Sequence, residues 1–144
     1  MVFGGREITN QRNQQSCFRQ TLLRELWCLM EIKVIRDVVI RDYLREIARK
    51  QFGDMVKAVV DVEQGIMAIG GELHSDEEAI LLDQGSLQQN LWGINLYPEK
   101  TAEEWIEFDS MINLRPSSGN RSRYVESGEI RESVTKIVHR LVEG

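Results

Sequence analysis

The sequence predicts an α+β domain: a mainly antiparallel sheet of about five strands, with helices on one face, in the order β-α-β-β-α-β-β-α. Three observations carry this. Val56, Ala58, Val60 and Val62 alternate with Lys57, Val59, Asp61 and Glu63 ahead of a Gln64-Gly65 turn and a second apolar run, which is a hairpin signal. Ile130, Val134, Ile137, Val138 and Leu141 form one apolar stripe at helical spacing. Hairpins imply antiparallel pairing, and a stripe of this kind must bury itself against a sheet.

Residues 1–29 differ from the rest. They are rich in Gln, Asn and Arg, show no sustained period of 2 or 3.6, and contain both cysteines, Cys17 and Cys28. Four Arg against two Glu make this piece +2, so residues 30–144 carry −7 of the net −5. It lacks the continuous apolar core and small-residue cleavage site of a signal peptide. Three readings fit. It is an extension from spurious upstream translation, with Met30 the true start; or a short helix, Thr21 to Leu29, docked through Leu22, Leu23, Leu26 and Leu29; or a partner-binding or disordered tail. We take the first, and residues 30–144 as a single domain.

Within that domain Glu31–Ile35 reads as the first strand. Tyr43, Leu44, Ile47, Ala48 and Gln51 or Phe52 mark a helix of about 12 residues closed by Gly53, with Ile40 a poor N-cap. If Gln64 and Gly65 are the two hairpin loop residues, Val62 faces Met67, Val60 faces Ile69 and Lys57 faces Glu72, with the returning strand running from Ile66 to His74. Gly70-Gly71 inside it suggests a bulge or close approach. Ser75-Asp76-Glu77-Glu78 has capping-box spacing for a helix ending at Gly85. Leu91–Tyr97 and Ile106–Arg115 read as two strands paired so that Asn95 lies near Asp109 and Leu91 near Asn113. Ser127 caps the last helix.

The composition, 42% hydrophobic and 28% charged, is that of an ordinary globular protein. A net charge of −5 argues against nucleic acid as a partner. No apolar run approaches the roughly 20 residues of a membrane span, since Arg24, Glu25, Glu31, Lys33 and Asp37 interrupt Leu22–Val39. The cysteines have neither metal-ligand nor redox spacing, and a reduced, cytoplasmic location suits them.

Strand parity would gather Asp61, Glu72, His74, Asn95, Asn113 and Arg115 on one sheet surface. Such a surface is either an open, solvated face or a ligand or partner site. Asn is disfavoured in strands, so Asn95 and Asn113 want a reason. His74 is an acid/base candidate with Glu72 beside it, although a histidine just ahead of a helix is more often merely structural. His139 suits the C-terminal dipole of the last helix. Glu72, His74, Asp76 and Glu77 do not form a standard zinc spacing, so no metal site is assigned, and no cofactor motif is present. Ser117 and Ser118 lack a nucleophile-elbow pattern. Trp92, Trp105 and Phe108 read as core or loop anchors.

The loop from Arg115 to Ser122 is the most informative stretch. Pro116 stops a strand, Gly119 and Asn120 can turn the chain through the left-handed region, and Arg115 and Arg121 flank the turn. Backbone amides, hydroxyls and guanidinium groups together make an anion-binding concavity. The alternative is that these arginines pair internally with Asp109 or Glu72 and fasten the loop.

Three blocks, Met67-Ala68-Ile69-Gly70-Gly71-Glu72-Leu73-His74, Leu91-Trp92-Gly93-Ile94-Asn95-Leu96-Tyr97-Pro98, and Ile112-Asn113-Leu114-Arg115-Pro116 through Gly119-Asn120-Arg121-Ser122, resemble a family of short prokaryotic proteins, domain-of-unknown-function family 5674. The resemblance runs from about Met30 to the end. Members of that family begin near the residue matching Met30, which the resemblance adds to the reading of residues 1–29. Arg123-Tyr124-Val125 departs from a more acidic, Met-containing run in the family. The resemblance implies no activity.

The sequence therefore supports a small binding module for an anionic or polar ligand held by Arg115, Asn120 and Arg121, with Asn113 and Asn95 nearby. Its rivals are a small enzyme using His74 and Glu72 as acid and base, and a protein-interaction module that pairs as a homodimer. A chain beginning at Met30 is expected to keep the melting temperature of the full chain. A loss above about 2 kcal/mol in chemical denaturation, the scale of removing a packed side chain, would show that the first 29 residues dock on the core.

Overall fold

The computed structural model describes residues 31–144; the extension expected over residues 1–29, with its docked-helix alternative, lies outside the described residues. The chain forms β1 (Lys33–Ile35), β2 (Val39–Ile40), α1 (Arg41–Lys50), β3 (Val56–Asp61), β4 (Ile66–Ile69), α2 (His74–Asp83), β5 (Leu91–Leu96), β6 (Ile106–Glu107), α3 (Gly128–Leu141) and β7 (Val142–Glu143). Three short 3₁₀ turns, Gln88–Asn90, Met111–Asn113 and Pro116–Ser118, occupy the connections. A five-stranded antiparallel sheet has the order β1-β4-β3-β5-β6, and β2 pairs with β7 in a small parallel ribbon. The domain is α+β.

Alternation along β3 sends neighbouring residues to opposite sheet faces. Ala58 and Val60 join Met67, Ile69, Trp92, Ile94 and Leu96 against Leu44 and Ala48 of α1 and Val134, Ile137, Val138 and Leu141 of α3. Val59, with Ala68 and Leu91, packs instead against Leu81 of α2. Helices on one face is thus true of α1 and α3, while α2 covers the other. The apolar stripe of α3 is buried as its spacing required, and Ser127 Oγ accepts from Ile130 N at 3.3 Å as its N-cap. Gly53 closes α1, its amide donating to Ala48 O at 2.6 Å.

The hairpin register differs from the expected one by two residues: Val60 faces Met67 and Asp61 faces Ile66, not Val62 with Met67. The cause is Asp61, whose Oδ1 accepts from the amides of Glu63 and Gln64, both at 2.9 Å, and builds a four-residue loop. A shift of two preserves which face each side chain takes, so the core is unaffected. Lys57 has no partner in β4, whose pairing ends at Ile69, so it does not face Glu72; on its other side it faces Asn95 of β5. The returning strand stops at Ile69, because Gly70 takes φ = +90° and turns the chain.

The Ser75 capping box does not form. α2 starts at His74 with Leu73 as its N-cap, and Leu73 O accepts from Asp76 N at 3.2 Å and Glu77 N at 3.4 Å. Glu77 is drawn inward, where its Oε2 accepts from Gly71 N at 3.2 Å.

The expected strand over Ile106–Arg115 is also corrected. Only Ile106 and Glu107 pair, with Leu96 and Asn95; Asn95 does lie near Asp109, its Nδ2 donating to Asp109 O at 3.2 Å, but its strand partner is Glu107. Beyond them Ser110 Oγ accepts from Ile112 N at 3.3 Å and the chain coils into a 3₁₀ turn. The amide of Asn113 then takes the place of a strand. Its Oδ1 accepts from Gly93 N at 2.8 Å, and its Nδ2 donates to Gly93 O at 2.9 Å and to Arg123 O at 3.0 Å. Such close approach needs a bare backbone. A Cβ on Gly93 would lie 2.5 Å from both Cβ and Oγ of Ser110. Gly93→Ala is accordingly expected to cost about 1–3 kcal/mol, the scale of overpacking a filled site. Unchanged stability in urea denaturation would mean that residues 110–113 yield freely.

Candidate functional site around Arg115 and Trp92

The Arg115–Asn120 loop closes as a small antiparallel bridge: Arg115 N donates to Asn120 O at 2.8 Å and Asn120 N to Arg115 O at 3.1 Å. Pro116 opens the 3₁₀ turn between them and Gly119 takes φ = +88° to return. Asn120 itself keeps a negative φ, so the left-handed step is made by Gly119 alone. The Asn120 side chain is buried and fully used. Nδ2 lies within donating distance of Asn113 O at 2.7 Å, Tyr124 O at 2.7 Å and Ser122 O at 3.0 Å, while Oδ1 accepts from Glu126 N at 2.9 Å. It shapes the loop, and both of its N–H donors are already given to backbone carbonyls, leaving none for an anion.

Arg115 reaches around the outer edge of β5. Nη1 donates to Gln88 O at 2.6 Å, Nη2 donates to Leu91 O, and the guanidinium carbon sits 4.1 Å from the centroid of the Trp92 ring. A guanidinium has five N–H donors, and Nε here is buried without a partner. The group forms no ion pair among the described residues; Glu78 attracts it only from a distance. Burial lowers its pKa, against the pull of Glu78.

Above this stacked pair lies a cavity of about 320 Å³ walled by Gln89, Trp92, Arg115, Ser118, Gly119, Asn120, Glu126, Ser127 and Ile130. Trp92 is 94% buried (6% exposed), yet its indole Nε1 has no hydrogen-bond partner. The first turn of α3 begins at Ser127, so the positive end of a 14-residue helix adjoins the same space. Of the residues expected to bind, the cavity brings together Arg115 and Asn120. Arg121 is exposed and is not among its walls, and Asn113 and Asn95 point to other contacts. Gln89, Trp92, Glu126 and Ile130 were not anticipated. The cap signal at Ser127 was the one local clue that a helix start would stand here.

The polar sheet surface predicted from parity does not assemble: only Asp61 and Asn95 lie in strands, while Glu72 and His74 come after β4 has ended and Asn113 and Arg115 after β6 has ended. Asp61 is 1% exposed; its Oδ2 accepts from Ser86 Oγ at 2.6 Å and Gln64 Nε2 at 3.0 Å. Asn95 Nδ2 donates to Glu107 Oε1 at 2.8 Å and to Asp109 O at 3.2 Å. Glu72 is exposed and shares no hydrogen bond with His74. His74 Nε2 lies 2.7 Å from Ile94 O, so that nitrogen carries the proton, and burial lowers the ring's pKa. The two groups do not form an acid–base couple. Arg123 is spent on Asp109, 2.8 Å away. Among the described residues no group of three His, Cys, Asp or Glu side chains could hold a metal ion, and no helix is long and apolar enough to cross a membrane.

By sequence Glu77 belongs to a helix start and to an acidic group without zinc spacing. It is 0% exposed, and burial raises its pKa well above the ordinary carboxylate value; the Gly71 amide and Lys57 oppose this, and Asp76 adds to it. The folded chain therefore retains a proton that the unfolded chain releases as pH rises through about 4.3. The stability linked to that proton is fully present below this pH and is lost as pH rises through the raised folded value. Glu77→Gln should flatten that decline, so its stability relative to wild type should be higher at pH 7 than at pH 4. Parallel denaturation curves at both pH values, with no change in the difference, would contradict a protonated Glu77.

A family model described as "Protein of unknown function (DUF5674)" matches residues 33–141. No curated protein and no solved structure matches the chain.

Proposed function

The chain belongs to the DUF5674 family, and from the cavity beside Trp92 we propose that it is a small cytoplasmic binding module for an anionic ligand. The observation that carries this is Arg115: a partly buried cation with unused N–H donors and no ion-pair partner among the described residues, in the wall of a cavity of ligand size. A desolvated charge is costly without a counter-charge. The Trp92 ring supplies an apolar wall, and the start of α3 a favourable partial charge. At about 320 Å³ the space sits at the lower end of small-molecule pockets, near 300–1,000 Å³. Arg121 stands outside as an exposed charge that serves, at most, to attract the ligand.

Titration of acetate and inorganic phosphate, followed by calorimetry and tryptophan emission, tests the reading. Wild type should bind at least one of them saturably, and Arg115→Gln should weaken this about tenfold or more, the scale of a charge-assisted bond. Arg121→Ala should bind within about threefold of wild type, as expected of a screened surface charge. Circular dichroism would establish that Arg115→Gln remains folded. Absence of saturable binding in wild type, or equal affinity in a folded Arg115→Gln variant, would overturn the proposal.

A further inference from the structure

The cavity wall carries a second charged residue, of opposite sign and without an ion-pair partner among the described residues. Glu126 is exposed at its rim, and its carboxylate forms no ion pair among the described residues. Its backbone, by contrast, is held firmly: the amide donates to Asn120 Oδ1 at 2.9 Å and the carbonyl accepts from Arg131 Nη1 at 3.0 Å. Arg131 is thus committed to the Glu126 and Val125 carbonyls and to the face of Tyr124, not to the Glu126 carboxylate. Arg115 and Glu126 line one cavity without pairing with each other, and Trp92 and Ile130 lie in the same wall.

From this arrangement we infer that the ligand is a zwitterion of amino-acid size, its carboxylate taken by Arg115, its ammonium by Glu126, and an apolar side chain by Trp92 and Ile130. The inference rests on the anion-binding reading and narrows it. A doubly charged phosphate would gain from Arg115 but would be repelled by Glu126, whereas an ammonium next to the carboxylate turns that repulsion into attraction. The start of α3 favours the carboxylate as well. The apolar walls, and the lack of a further unpaired charge among the wall residues, favour a side chain without charge.

Three compounds of one carbon skeleton separate the contributions: L-leucine, 4-methylpentanoate, which lacks the amine, and isopentylamine, which lacks the carboxylate. Calorimetric titration of the full chain should show L-leucine binding about three- to fivefold more tightly than 4-methylpentanoate, the range of a partly exposed ion pair, with isopentylamine weakest. Glu126→Gln, at an exposed side chain that holds nothing in the fold, should abolish the preference for L-leucine and leave 4-methylpentanoate affinity within twofold. Equal affinity of wild type for L-leucine and 4-methylpentanoate, or a preference that survives Glu126→Gln, would overturn the zwitterion inference while leaving anion binding intact. Failure of both carboxylates to bind would overturn the zwitterion inference, and the anion-binding reading falls with it where inorganic phosphate fails too.

Discussion

The outer edge of β5 is completed by side chains, and the rest of the domain is arranged around that. An edge strand presents backbone donors and acceptors that must find partners or water. β6 serves this need only at Asn95 and Leu96. Further along, Tyr97 N donates to Trp105 O at 2.8 Å, Asn113 takes both polar groups of Gly93, and Arg115 takes Leu91 O. An amide and a guanidinium thus do the work of a missing strand. Because a side chain is narrower than a strand, the segment carrying it can fold into 3₁₀ turns and loops while staying against the sheet.

That substitution shapes the cavity. A regular strand over Ile106–Arg115 would have held Arg115 in the ladder, with its side chain confined to one sheet face. Released from pairing, the chain passes the edge and closes through Asn120, which ties Asn113, Ser122, Tyr124 and Glu126 to one another. This brings the start of α3 beside Trp92. The opposite face meets its own electrostatic requirement differently: Glu77 is buried with Oε2 accepting from Gly71 N and its pKa raised by burial, and Asp61 on the same face is held by Ser86 and Gln64. Each buried polar group there is set by an internal bond.

Periodicity made much of this legible. The stripe of α3, the face of α1, the alternation of β3 and the Ser127 cap all follow from local spacing, since helix and strand repeats are properties of the chain itself. The two asparagines stood out as anomalies, yet Asn113 is held by Gly93 from 20 residues away and Asn95 by Glu107 and Asp109, contacts that no local rule contains. Residues 106–115 kept an apolar alternation, but Asp109-Ser110 in the middle is a turn pair, and Ser110 Oγ ends the strand by capturing the amide of Ile112. Ser75 has the right spacing for a cap. Glu77 decides otherwise, because its carboxylate meets Gly71. At the candidate site the basic loop was visible; Trp92 and Glu126 were not, because one lies in a strand and the other beside a helix start, and only the fold places them opposite Arg115.

Covering the β5 edge with side chains has a consequence for association between copies. A bare six-residue edge is a template on which another chain can add a strand, the route to sheet-extended oligomers and fibrils. Here that template is occupied residue by residue, and the occupying groups are two side chains with few substitutes. Asn113 and Arg115 therefore fill the points of that edge that β6 leaves free, and a strand from another chain could add there only by displacing them.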